Sequence, residues 1–305
     1  MNILYLKYAL EVAETGSVNR AAENLYMAQP NLSRAIKELE SSLGITIFDR
    51  TSRGMKPTPD GEKLLRYAAG ILRQVDEVES MFSGKDARIS RFSLSAPRAC
   101  YIADAFARFS ITVDRDQRVD LYYHETDPLR SINNVLYSDY NLGIVRYAAI
   151  HDKYYKELLS ERGLVYEPIT EFSYYLVMSR QHPLANADEI RMSDLEPYFE
   201  ISHADSDPKS VRLSDARKQE MPDNIRRRIF VFERATQFDL LDANHDAFMW
   251  MSPLSQTKLD RWDLVQRECV DNTKKYRDLL IYRNDYRLGE LDLRFIEELK
   301  KSDGQ

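Results

Sequence analysis

The chain has 305 residues, room for two or three domains with a sizeable core, and its formal charge of −6 excludes a surface uniformly built for nucleic acid. Its two cysteines, Cys100 and Cys269, lie far apart in sequence and exclude a disulfide-stapled secreted scaffold. No apolar run approaches the roughly 20 residues needed to span a bilayer, and Met1 to Leu10 runs straight into Glu11 and Glu14, unlike a leader peptide, so a cytoplasmic location without membrane contact is expected.

The first informative stretch is Ser17 to Arg53. It reads as two short helices joined by a tight turn, 17–25 and 29–44, followed by a basic loop. In the second helix Leu32, Ile36, Leu39 and Leu43 recur at spacings of four, three and four, which gives one apolar face. The opposite face carries Gln29, Asn31, Ser33, Arg34 and Lys37, groups suited to base edges and phosphates. Ser17 is a plausible N-cap of the first helix, Pro30 sits where its missing N–H costs nothing, and Gly44 reads as a stop signal. Ala21 and Ala22 are small enough to let two helices cross closely. Ile45, Ile47 and Phe48 would pack beneath the second helix, and Asp49 to Lys56 supplies three cations on a turn-rich loop that could reach the backbone or minor groove. Residues 17–58 hold six cations against four anions, although the whole chain is acidic. The remainder of the chain should be repelled from DNA, which favours one docking orientation. The plain alternative is a surface helical hairpin with a solvated charged loop.

Gly16-Ser17, Ala21-Ala22, Leu25, Gln29-Pro30, Leu32-Ser33, Ile36, Leu39-Glu40, Leu43-Gly44, Phe48, Arg50, Pro57-Thr58 and Gly61 fall in one order and spacing. This stretch resembles the winged helix-turn-helix of the LysR-type transcriptional regulators, closely over residues 1–66 and more loosely over the whole chain. The resemblance implies double-stranded DNA as partner, with Ser17, Asn19, Arg20, Gln29, Pro30, Asn31, Ser33, Arg34, Lys37, Arg50 and Arg53 as contacts, Arg53 reaching the minor groove. One departure is Ala28, where the family usually has a capping Ser or Thr; the lost cap costs roughly 1 kcal/mol.

Thr58 then reads as the N-cap of a long helix with Pro59 at its first position. Leu64, Ala68, Ile71, Val75, Val78 and Phe82 form a heptad seam. The seam predicts a helix that pairs with a second copy, the alternative being packing within the chain, expected in any case for some of Leu65 and Leu72. In the resembled family this linker helix pairs antiparallel with its twin and spaces two recognition helices. That implies a homodimer or, by family precedent, a homotetramer. The helix is expected to end near Ser83-Gly84.

From Arg88 the pattern alternates. Strands are expected over 89–95, 119–124, 142–147, 174–179, 198–202, 229–232, 247–251 and 276–282. Helices are expected over 98–109, 128–136, 153–161, 209–219, 234–241 and 290–300. Alternation of this kind implies crossovers and a mainly parallel sheet. The resemblance adds that this region is two α/β lobes joined by two crossing strands, similar to periplasmic solute-binding proteins. The expected fold is therefore α/β with an N-terminal all-α winged helix-turn-helix over 1–58, a linker helix over 59–87 and a two-lobed effector domain over 88–305. Lobe 1 takes about 88–163 and 268–305, and lobe 2 about 164–267.

An effector would sit between the lobes, where strand ends and helix N-termini converge. Ser95 and Arg98 at the end of the first strand, Arg146 after the third, and Ser202 and His203 in the second lobe are the candidate contacts; each has a structural alternative, such as helix capping for Ser95. Arg98, Arg146 and His203 together would suit a carboxylate. Asn244-His245-Asp246 stands where the family often has glycines at positive φ, and all three tolerate that conformation; His245 could also face the cleft and make sensing depend on pH. No metal spacing, nucleophile elbow, P-loop or dinucleotide fingerprint is present, so neither catalysis nor a cofactor is expected. Nothing carries over from the redox-sensing branch of the family to Cys100 and Cys269. The alternative function is a DNA-binding regulator with no small-molecule ligand that answers to a protein partner or to redox state.

Overall fold

The computed structural model describes residues 2–51, 54–82, 89–116, 118–138, 140–203 and 225–301. Arg53, the break at Ser83-Gly84, the helix expected over 209–219 and the side chain of Phe82 lie outside the described residues. The chain divides into two compact units. One holds Met1–Ser95, Asp114–Tyr122 and Leu129–Gly143, and the other Ala96–Val113, Tyr123–Pro128 and Ile144–Gln305.

In the first unit, helix α1 spans Ile3–Thr15. Asn2 caps it by accepting from Leu4 N–H at 3.0 Å, and Gly16 ends it with φ +61°. Leu6, Ala9, Leu10 and Val12 are its buried stripe. Helix α2 (Val18–Asn24) is capped by Ser17, whose Oγ accepts from Arg20 N–H at 3.5 Å. Helix α3 (Gln29–Leu43) buries Leu32, Ala35, Ile36 and Leu39. Leu43, the last residue of the expected row and of the helix, is exposed, and Ala35 joins the buried face. Ala28 provides no side-chain cap, and Gly44 closes the helix with φ +68°.

The basic loop is an antiparallel ribbon, β1 (Phe48–Thr51) with β2 (Gly54–Pro57). It is held at its base. Glu40 Oε1 accepts from Ile47 N–H at 2.7 Å, Thr58 N–H donates to Ile47 O at 2.9 Å, and Met55 N–H donates to Gly16 O at 2.9 Å. Two glycines permit this closeness. A Cβ on Gly54, whose φ is +117°, would stand 2.5 Å from Gly16 O, and one on Gly61 would stand 2.0 Å from Ile47 O. Helix α4 (Pro59–Phe82) starts as read from the sequence, with Thr58 Oγ1 accepting from Gly61 N–H at 2.9 Å. Leu65, Ala68 and Ala69 are buried, and α4 packs on α1.

The rest of the chain builds two five-stranded sheets. In the first, the spatial order is β4 (Val119–Glu125), β3 (Ser90–Ala96), β5 (Leu142–Ala148), β12 (Tyr276–Arg283) and β6 (Leu164–Phe172). In the second it is β11 (Leu264–Arg267), β7 (Tyr175–Ser179), β10 (Ala247–Met251), β8 (Phe199–His203) and β9 (Arg227–Val231). Both are mixed: β3–β5, β8–β9 and β8–β10 are parallel, whereas β6–β12, β7–β10 and β7–β11 are antiparallel. Helices α5 (Cys100–Thr112), α6 (Pro128–Tyr137), α7 (Asp152–Glu161), α8 (Arg234–Ala243), α9 (Gln256–Arg261) and α10 (Glu290–Lys300) connect or close them. The second sheet is covered on both faces: Val177, Ile201, Ala247 and Met249 lie in one core, and Leu176, Met178 and Phe248 in the other.

Strand β6 was not expected. Its sequence, LVYEPITEF, carries Pro168, which forfeits a ladder donor and is tolerated because β6 is the edge of its sheet. By sheet membership the chain passes from one sheet to the other after Phe172, later than the expected lobe boundary at 164, and returns before Tyr276.

Gly61→Ala drives a methyl group into a backbone oxygen that holds the wing. It is expected to lower stability by about 1–3 kcal/mol, read as a fall in the thermal or urea midpoint of the full chain; an unchanged midpoint contradicts this packing.

Candidate functional site

The face of α3 opposite the buried row is open. Pro30, Asn31, Arg34 and Lys37 are exposed, and Gln29 and Ser33 are half-buried and joined by a 2.8 Å hydrogen bond from Gln29 Nε2 to Ser33 Oγ. Asn19 and Arg50 are exposed nearby in the fold of this unit, Arg20 is half-buried, and Ser17 is occupied as a cap. The carboxylates of α3 are drawn elsewhere. Glu38 accepts from Tyr5 Oη–H at 2.8 Å and thereby raises the tyrosine's pKa, while Glu40 is committed to Ile47 N–H. Their engagement leaves the open face with a cationic and amide character suited to DNA.

Tyr26, which the sequence reading passed over, fills the turn between α2 and α3 with φ +51° and is 97% exposed. A bulky residue in the left-handed region is uncommon. The turn residue next to a predicted recognition helix was the available signal.

On α4, the seam needs one correction. Ala68 is fully buried within the chain and is not available to a second copy. Leu64, Ile71 and Val75 are half-buried, Val78 is 52% exposed, and Tyr67, not anticipated, is 65% exposed. The outward row is therefore 64, 67, 71, 75 and 78, at spacings of three, four, four and three, which is one helical face without a strict heptad repeat.

In the second unit a cavity of about 290 Å³ lies between the two sheets, lined by residues that include Arg98, Arg146, Tyr174, His203, Gln237 and Tyr276. An adjoining cavity of about 230 Å³ shares Tyr174, His203, Met249, Trp250 and Tyr276 and adds Ser202 and Lys274. Arg98, Arg146, Ser202 and His203 thus come together. Ser95 does not: it is fully buried, its Oγ accepts from Asn134 Nδ2 at 3.0 Å, and its carbonyl accepts from Ser131 Oγ at 2.9 Å. Its hydroxyl is spent on tying strand to helix.

Arg146 is also less available than its position suggests. Burial opposes its charge, but bidentate bonds to Asp278, at 2.8 and 2.6 Å, outweigh this and hold its pKa well above the usual value. Tyr101 donates to the same carboxylate. The guanidinium lies 4.7 Å from the Phe172 ring centroid and 5.9 Å from that of Tyr174. Tyr174 and Tyr276, on the two segments that pass between the sheets, touch with centroids 4.3 Å apart. Arg146 therefore anchors the crossing point.

Two ion pairs join residues distant in sequence, and Arg234 of the first lines the cavity. Arg234 pairs with Glu125 and donates to Cys100 Sγ at 2.9 Å, and Lys258 meets Asp104 at 2.8 Å. Cys100 is buried in the core of the second sheet, and Cys269, also buried, has its thiol pKa pushed up by burial. His203 Nε2 lies 2.6 Å from Gln237 Oε1, while His203 Nδ1 and Gln237 Nε2 are buried with no partner among the described residues. Such unmet groups cost about 1–3 kcal/mol each. Burial and then Arg98 push the imidazole's pKa down, so the ring is neutral at pH 7. Arg234 and Gln237 share α8, while Tyr174 and Tyr276 come from segments distant in sequence, so no local sequence pattern could have assembled the four.

The turn at Asn244-His245-Asp246 is not glycine-like. Asn244 has φ −114°, and its Oδ1 accepts from Asp246 N–H at 3.1 Å, a side-chain turn that needs no positive φ. His245 is exposed and does not line the cavity.

The family of bacterial regulatory helix-turn-helix proteins known as lysR matches residues 4–62. Regulator BenM of Acinetobacter baylyi is 43% identical over 81 residues, 27% of this chain and 27% of that protein. A probable nitrogen assimilation transcriptional activator of Synechococcus elongatus is 26% identical over 285 residues, 86% of this chain and 87% of that one. Residues 4–62 are a helix-turn-helix of the lysR family. The first two curated relatives match over only about a quarter of their own length, 27% and 24%, whereas the fold likeness is end to end. The LysR-type regulator LysG of Corynebacterium glutamicum, solved with bound effector Arg, has TM-score 0.55 at 15% identity, covering 99% of this chain and 98% of that one. The chain therefore carries the family's helix-turn-helix and shares the overall fold of LysG. Among the described residues no helix is long and apolar enough to cross a membrane.

His182 offers a pH test of the second unit. Its Nδ1 accepts from Leu184 N–H at 3.0 Å, and burial pushes its pKa from 6.5 down to about 4. The unfolded chain takes up this proton first, so the histidine imposes no penalty above pH 6.5 and a growing one as pH falls toward 4. The penalty is on the order of 2–3 kcal/mol by pH 4. Urea midpoints at pH 7.5, 5.5 and 4.5 are expected to fall less steeply for His182→Asn than for the parent chain; equal slopes contradict this.

Proposed function

We propose that the chain is a cytoplasmic, sequence-specific transcription regulator that binds double-stranded DNA as a dimer or tetramer and is controlled by a small molecule held between the two lobes. The observation that carries this is the open face of α3, where Asn31, Arg34 and Lys37 are exposed beside half-buried Gln29 and Ser33, while Glu38 is hydrogen-bonded to Tyr5 and Glu40 to Ile47 N–H. Residues 1–58 serve as the DNA-binding part, 59–87 as the dimerisation helix and the remainder as the effector domain.

In this reading Asn31 and Arg34 meet base edges, Lys37 and Arg50 meet phosphates, and Arg53 reaches the minor groove. Asn19, Arg20 and Pro30 flank the contact, and Tyr26 adds a ring at its edge. Leu64, Tyr67, Ile71, Val75 and Val78 face a second copy. The bound arginine of LysG, on a similar fold, supports a small molecule in the cavity lined by Arg98 and His203. The ion pairs Arg234–Glu125 and Lys258–Asp104 join the lobes, and Arg234 lines the cavity, so occupancy can alter the lobe angle and hence how copies assemble on DNA.

Arg34→Ala is expected to cost about 1–3 kcal/mol on operator DNA and much less on random duplex, as removal of a bidentate base contact would. Lys37→Ala is expected to weaken both alike and to flatten the salt dependence by about one unit. Fluorescence anisotropy on both DNAs across a salt series checks this. Equal losses on operator and random DNA for Arg34→Ala contradict base reading.

A further inference from the structure

The reading of the cavity as an effector site leaves the effector's chemistry open, and the His203–Gln237 pair constrains it. The pair sits on the wall of the 290 Å³ cavity, with His203 Nε2 2.6 Å from Gln237 Oε1. Gln237 is 1% exposed. The two polar atoms left over, His203 Nδ1 and Gln237 Nε2, have no partner among the described residues.

The neutral ring carries one donor and one acceptor nitrogen, and the amide carries one donor and one acceptor end. With His203 Nε2 donating to the amide oxygen, an acceptor remains at Nδ1 and a donor at Gln237 Nε2. With the amide turned over, a donor remains at Nδ1 and an acceptor at the amide oxygen. In either arrangement the pair has one donor and one acceptor to satisfy. A bare carboxylate brings acceptors only and answers half of this demand. A hydroxyl or a primary carboxamide brings both.

We propose that His203 and Gln237 select an effector bearing a hydroxyl or a carboxamide at this end of the cavity, in preference to a bare carboxylate. The proposal rests on the cavity being the effector site. Both unpartnered atoms lie beneath the cavity surface, so the pair turns toward the ligand as it binds. Tyr174, Trp250, Tyr276 and Met249 on the remaining walls suit a flat apolar body. Arg98, on the same cavity, suits an additional carboxylate, which a 2-hydroxy acid supplies.

Three matched probes test this on the full chain: mandelate, phenylacetamide and phenylacetate, which differ only in hydroxyl, amide and acid groups. Thermal shift at pH 7.5 up to 20 mM is read for the parent chain and for Gln237→Leu. Mandelate and phenylacetamide are expected to act at a concentration roughly fivefold lower than phenylacetate, about the worth of one satisfied hydrogen bond. In Gln237→Leu the three should converge; should that variant not fold, the ranking in the parent chain decides alone. Phenylacetate matching or outranking the others overturns the proposal, as does no shift from any of the three. Anisotropy with DNA from upstream of the gene, run on the same protein, separates the two levels. A phenylacetate-led response that alters DNA binding leaves the effector reading standing without this selectivity. Loss of any preference for that DNA removes the regulator reading itself.

Discussion

Burial of Leu32, Ala35, Ile36 and Leu39 decides which way the third helix faces, and every functional statement about this protein follows from that orientation. The buried row fixes the opposite face, and with it the direction of Gln29, Asn31, Arg34 and Lys37. The hydrogen bond from Ile47 N–H to Glu40 then locks the wing to the same helix. One carboxylate thus performs two tasks: it secures the loop, and it is removed from a surface that must approach phosphates. The close contacts at Gly54 and Gly61 belong to the same arrangement, because a side chain at either would displace the ribbon from its base.

The effector half is governed by a different economy. Its charged groups are largely used up in holding it together. Arg146 is neutralised by Asp278, Arg234 by Glu125, and Lys258 by Asp104. Around a cavity where Arg146 and Arg234 are already paired, hydrogen-bond pattern and shape weigh heavily beside the charge of Arg98. The contact of Tyr174 with Tyr276 places the two crossing segments on the cavity wall, so a ligand there touches the segments about which the lobes can move.

Local signals were legible where chemistry and geometry coincide within a few residues. Thr58-Pro59 announced a helix start, Gly44 an end, and the short apolar runs at 174–179, 198–202 and 247–251 three strands of the second sheet. Legibility failed where a partner distant in sequence decides the outcome. Nothing local says that Asn134 will occupy the Ser95 hydroxyl, that Asp278 will claim Arg146, or that α1 will cover Ala68 while leaving Tyr67 outside. Pro168 concealed an edge strand because the rule against proline in sheets loosens only once the neighbour on one side is known to be missing. Asn244 met the demands of its turn through its side chain instead of through positive φ, an alternative the residue type allowed but did not select. In the cavity the same limit holds: Arg98 and His203 were found from strand ends, while Gln237 and Arg234 come from a helix with no distinguishing pattern.

The most direct test of the orientation argument is a competition measurement on the unmodified chain. Duplex from upstream of its gene and a scrambled duplex of equal length are compared by anisotropy from low to physiological salt. The account requires a preference of roughly a thousandfold or more for the upstream duplex at physiological salt, with both affinities falling as salt rises. Equal affinity for the two duplexes across the series would contradict it.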